Sequence, residues 1–103
     1  MIENVIQRGT SVQVLDENDR TIGSFQLGSS AYEIEGWGRD FIVVRNGQLI
    51  MTLDESGSAL GSTCVYEQHR VRGVGGVSFS VQYGNSLLER LDRYCRTVER
   101  VGI

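Results

Sequence analysis

The stretch VQVLDENDRTIGSF, residues 12–25, recurs thirty-eight residues later as IMTLDESGSALGST, residues 50–63. Leu15, Asp16 and Glu17 fall on Leu53, Asp54 and Glu55; Ile22, Gly23 and Ser24 fall on Leu60, Gly61 and Ser62. Apolar, acidic and glycine positions agree in one register, which chance matching explains poorly. A fixed period of this length is the signature of a repeat architecture. Outward from this pair, YEIEGWG (residues 32–38) lies against HRVRGVG (residues 69–75) across a one-residue gap. Phe41 and Val43 then fall on Phe79 and Val81 at the original spacing. A thinner copy places Leu91 and Asp92 on Leu53 and Asp54. The chain reads as one domain over 1–103, with repeats at about 12–49 and 50–86 and partial copies at 1–11 and 87–103.

Each copy reads as four short strands. Residues 12–16 are rich in β-branched types and run into a polar turn. Residues 21–27 carry Ile22, Phe25 and Leu27, and residues 32–35 alternate apolar and acidic, the period of a half-buried strand. A GWGR loop leads to residues 41–45. Asn46-Gly47 then reads as a type I′ hairpin dipeptide, with Gly84-Asn85 as its counterpart. Connections this short force antiparallel neighbours. The expected fold is all-β, or mainly β with one C-terminal helix: an antiparallel meander of short hairpins.

The tail carries two patterns. SLLERLDRYCRTVERVG, residues 86–102, is an amphipathic helix on local rules, with a Ser86–Glu89 capping box and Leu87, Leu88, Leu91, Tyr94, Cys95, Val98 and Val101 on one face. The repeat predicts a hairpin there. Local periodicity favours the helix, which would pack against a curled sheet or small barrel. If the tail is strand, eleven strands in three pseudo-equivalent units resemble a β-trefoil, or propeller blades completed by other chains.

The units GRDFIVVRNGQLIMTLDESGSALGS and GVSFSVQYGNSLLERLDRYCRTVER resemble the short β-repeats of certain uncharacterised bacterial proteins, with an F-x-V stretch, a glycine turn, an apolar strand and D-x-x-G. Asp19 and Cys95 stand where the turn glycine Gly57 stands. The resemblance implies the repeat and brings no activity with it.

Chemistry is sparse. The charge of −3 and the mixed-sign tail, with Arg90, Arg93, Arg96 and Arg100 among Glu89, Asp92 and Glu99, argue against a nucleic-acid patch. No apolar run approaches a membrane span, and MIENVIQRGT has no apolar signal region, so a cytoplasmic protein is expected. Cys64 and Cys95 are too few for a disulfide scaffold and too far apart for CxxC; free thiols in a reducing compartment are compatible with this, and the sequence leaves their state open. His69 is the only histidine; its repeat equivalent is Tyr32, which places it on a strand surface. Asp16, Asp54 and Asp92 recur as hairpin-turn acceptors of backbone N–H; the calcium-loop glycine and distal glutamate are missing. No catalytic residue, metal or cofactor is assigned.

Ligand or interface candidates are Trp37, Tyr32, Tyr66 and Tyr83. Trp37 sits between two glycines in an expected loop; its repeat equivalent Val74 favours an apolar plug in the core, with a binding or interface ring as the alternative, since large aromatics recur at interface hot spots. The favoured function is a non-catalytic binding or interaction module that self-associates as a homo-oligomer, with no nucleic acid and no membrane. The alternatives are a small-ligand or carbohydrate-binding protein, and an enzyme with a site between protomers.

Overall fold

The computed structural model describes residues 1–29, 31–66, 69–84 and 86–102. Eleven strands run through the described residues, with no helix among them. Sheet I holds β1 (Asn4–Arg8), β2 (Ser11–Leu15) and β3 (Thr21–Gln26). Sheet II holds β4 (Glu33–Trp37), β5 (Ile42–Asn46), β6 (Leu49–Leu53) and β7 (Ala59–Cys64). Sheet III holds β8 (Arg70–Gly75), β9 (Ser78–Tyr83), β10 (Leu87–Asp92) and β11 (Thr97–Gly102). Every pairing is antiparallel and follows chain order.

The tail corrects the helical expectation: residues 86–102 form the β10–β11 hairpin. Cross-strand partners show why. Leu91 pairs with Phe79 and Glu89 with Val81, so Leu87, Glu89 and Leu91 share one face of sheet III. A carboxylate in that row hides the period-two alternation, and Leu88 beside Leu87 imitates a helical stripe. The Asp92 turn then fixes the hairpin: its Oδ1 accepts the N–H groups of Tyr94 and Arg96.

Three turns share this chemistry. Asp16 accepts from Asn18 and Arg20, and Asp54 from Ser56 and Ser58. Asp19, Gly57 and Cys95 occupy the same left-handed place, at φ 60, 89 and 62°. Gly57 must be glycine for a second reason: a Cβ there would lie 2.6 Å from the Phe25 ring. The Ser56 hydroxyl and the backbone N–H groups hold the Asp54 carboxyl below its usual range. Asp16 is held low chiefly by the Arg20 N–H. At Asp92 desolvation pulls upward and is outweighed by the Arg96 and Tyr94 N–H groups and the Arg96 ion pair. A carboxylate held low in the folded state contributes stability that is complete above the unfolded pKa, about 3.9, and lost as pH falls through the native value. The urea midpoint is therefore expected to drop below about pH 4, with a shallower acid limb in Asp54→Asn. Identical limbs in both proteins would contradict this.

Hairpin detail differs from the sequence reading in two ways. Arg8 pairs with Ser11, and Asn46 with Leu49, leaving Gly9-Thr10 and Gly47-Gln48 as two-residue loops. Positive φ falls only on the glycines, at 61 and 58°. That is the φ pattern of a type II′ turn, not I′. The repeat gap also closes later than the sequence suggested. Leu53 faces Ile42 and Leu91 faces Phe79, so Phe79 matches Ile42 rather than Phe41. The extra residue is absorbed in the β9–β10 connection, where Tyr83 pairs with Leu87.

The sheets stack face to face. In sheet II, Ile42, Val44, Met51 and Leu53 share the face toward sheet I; Val43, Ile50 and Thr52 share the face toward sheet III. Being covered on both sides explains the continuous apolar run FIVV, which reads like a fully buried strand. The I/II seam joins Val5, Val12 and Val14 to Ile42, Val44 and Leu53. The II/III seam joins Phe41, Val43 and Ile50 to Phe79, Val81 and Leu91. The repeated glycines serve these seams: a Cβ on Gly23 would strike the carbonyl of Glu55, and one on Gly61 that of Tyr94. At the converging first strands, a Cβ on Gly36 would sit 2.9 Å from Val74.

Candidate aromatic recess at the seam of sheets II and III

The connection from β7 to β8 crosses the II/III seam and carries Tyr66 and His69. Val65 anchors its start: the side chain is buried and the N–H donates to the Gln48 carbonyl at 2.7 Å. Arg45 clamps the loop from β5, donating to the carbonyls of His69 and Tyr66 at 2.5 and 3.0 Å and to that of Gly47 at 2.8 Å. Five donors in a fixed fork let one guanidinium hold three carbonyls at once. The Tyr66 N–H donates to His69 Nδ1 at 3.3 Å. In a neutral ring this leaves the proton on Nε2.

The His69 ring stands between two tyrosines. Its centroid is 5.3 Å from Tyr66 and 4.4 Å from Tyr83, both edge-on, at 75 and 68°. Edge-to-face packing is the favoured geometry for such rings. With Gln48, Cys64 and Val65 they line a recess of about 390 Å³, within the size range of small-ligand sites.

Behind it, Tyr83 is fixed by a buried carboxylate. The Tyr83 hydroxyl donates to Glu89 Oε1 at 2.8 Å, while Thr97 and Arg100 donate to Oε2 at 3.1 and 2.8 Å. Desolvation works to raise the Glu89 pKa, but the Arg100, Tyr83 and Thr97 bonds outweigh it and hold the carboxyl low. Burial, then the bond to Glu89 and its charge, push the Tyr83 phenol up to about 12. One wall of the recess is thus rigid, while Tyr66 is 65% exposed.

Of the four candidates, Tyr66 and Tyr83 come together here. Trp37 and Tyr32 lie at the I/II seam instead. The expected loop position of Trp37 is corrected: it is the last residue of β4, packed on the apolar seam. Its indole N–H donates to the Glu3 carbonyl at 3.2 Å. His69 precedes β8 rather than lying on a strand, and sequence reading missed its place between the tyrosines. Cys64 and Cys95 are free thiols, the first exposed and the second half-buried beside Thr52. Among the described residues no three His, Cys, Asp or Glu side chains are placed to hold a metal. No helix of the described residues is long and apolar enough to cross a membrane.

No family model matches the chain, and no curated protein matches it. Among solved structures it is similar to BamB from Moraxella catarrhalis, with 20% identity and a TM-score of 0.53. The match covers 93% of this chain and 33% of that one, so the chain spans about a third of the BamB length. At that identity the likeness shows the fold alone, antiparallel sheets of short strands.

Proposed function

We propose that this chain is a non-catalytic binding module in which three repeat-derived sheets stack like propeller blades and the Tyr66–His69–Tyr83 recess takes the ligand. The carrying observation is the recess itself: an aromatic wall pre-fixed by Glu89, a second wall open to solvent, and a loop held by Arg45. Aromatic faces with few polar groups suit an apolar or ring-bearing group, either a partner's side chain or a sugar ring. The sugar is the second reading, favoured by the Gln48 amide at the rim. The enzyme reading has less support, because Asp16 and Asp54 head turns at the far ends of their strands from His69.

Titration of labelled protein with indole, and separately with methyl glucoside, tests this by NMR. Shifts are expected at Tyr66, His69 and Tyr83. Tyr66→Ala is expected to weaken binding about tenfold or more, the ~1.4 kcal/mol or greater loss of a truncated aromatic anchor, while Trp37→Ala leaves it intact. Shifts centred on Trp37 and Tyr32, or none with either probe, would sink the reading.

A further inference from the structure

Single cross-strand rows run through each sheet and can be compared directly. On the trailing face the row is Val5–Val14–Gly23 in sheet I and Val43–Thr52–Gly61 in sheet II. Both rows are covered by the next sheet, and each glycine admits that sheet's turn carbonyl, from Glu55 or Tyr94. The same row in sheet III reads Ser80–Arg90–Glu99. A buried valine becomes serine, the central position becomes arginine, and the glycine becomes glutamate.

Arg90 and Glu99 pair at 2.7 Å across that row, both about half exposed. Val98 and Val101 flank it, 54% and 43% exposed. Val98 stands in the repeat place of Ile22 and Leu60, which pack into the internal seams. A further sheet would cover these valines, but Glu99 projects where a glycine hydrogen is required, and a covered Arg–Glu pair would lose its water.

The leading face shows the same change at the other end. Sheet II presents Ile42, Val44 and Met51 to its neighbour; sheet I presents Asn4, Ile6 and Gln13. On that face Gln13 donates to Thr21 at 2.7 Å and Gln26 to Ser11 at 2.8 Å, so its polar groups satisfy one another. Sheet I also protects its own free edge. Asn4 Oδ1 accepts the Val5 N–H, and Trp37 supplies a donor to the Glu3 carbonyl.

We infer that the outer faces of sheets I and III are caps, and that Glu99 with Arg90 is a steric and electrostatic stop that prevents another sheet, from any chain, covering the outer face of sheet III. Repeat arrays need terminal units with polar outer faces to stay soluble and finite. On this reading the self-association expected from the sequence does not run through these two faces.

Sedimentation over a wide concentration series tests this, on the natural protein and on Arg90→Val/Glu99→Gly. The natural chain is expected to stay at its 11.4 kDa monomer mass. The double variant is expected to shift to a dimer as concentration rises, since two opened faces can bury each other about a two-fold axis. Circular dichroism checks that it folds; if it does not, Glu99→Gly alone carries the test. A folded variant that stays monomeric would overturn the assignment of the stop to this row. So would a natural chain that self-associates with slowed amide exchange at residues 98–101.

Discussion

Phe41→Ala is expected to lower stability by about 3–5 kcal/mol, the range for truncating a fully buried phenylalanine. Phe41 is 0% exposed, and its ring lies 6.3 Å from that of Phe79 across the II/III seam. The surrounding positions cannot close the gap cheaply. Phe41 sits where β5 begins, and its ring also lies against Gly38, whose missing Cβ makes room for it. Against a total margin of about 5–15 kcal/mol for a domain, such a loss is large. It is read as a fall in the urea midpoint at constant slope. A change below about 1 kcal/mol would mean that Phe41 is not in the core.

Gly61→Ala is the second large effect. The methyl group would run into the Tyr94 carbonyl and sit 3.0 Å from its Cα. Neither is the tip of a flexible side chain, so sheet III must move away from sheet II. Overpacking of this kind costs about 1–3 kcal/mol and sometimes more. Gly73→Ala is the matched control: the same substitution on a strand, with nothing within 4 Å of the added carbon. It is expected to stay within about 0.5 kcal/mol of the natural protein. Equal losses in the two variants would mean that the loss at Gly61 does not come from the seam contact.

These two positions show what could be read beforehand. The Gly61–Ser62 match to Gly23–Ser24 was visible as repeat, but not its cause, because the partner carbonyl lies on the following sheet. The apolar run FIVV carries the two-sided burial of β5, but the sequence reading used it only as a strand flanking the Asn46-Gly47 turn. The tail was misread because two local patterns competed. Leu87 and Leu88 occupy opposite faces of a strand, yet adjacent apolar residues also satisfy a helical stripe, and buried Glu89 interrupts the alternation that would have decided it. The signal that pointed correctly was Arg96-Thr97-Val98 falling on Arg20-Thr21-Ile22, where the Asp92 turn repeats the Asp16 turn. Tertiary pairing overrode local propensity, as it commonly does where a segment joins an existing sheet.

The recess was less legible. Tyr66 and Tyr83 were candidates as single aromatics, with nothing to join them. His69 joins them, and its position depends on Arg45 reaching across from β5 to two carbonyls of the loop. A contact of that kind spans more than twenty residues and leaves no periodic trace. Trp37 drew attention as an isolated tryptophan between glycines. Gly36 is explained by Val74, Gly38 by the ring of Phe41, and the indole by the seam it fills.

Through-space proton contacts across the seams test the stacking of the three sheets most directly. A contact between the α protons of Gly61 and Tyr94, with a matching one between Gly23 and Glu55, is the expected result. If both glycines meet only their own sheets, and residues 87–101 show the i to i+3 contacts of a helix, the stacked architecture is wrong and the recess built on its second seam falls with it.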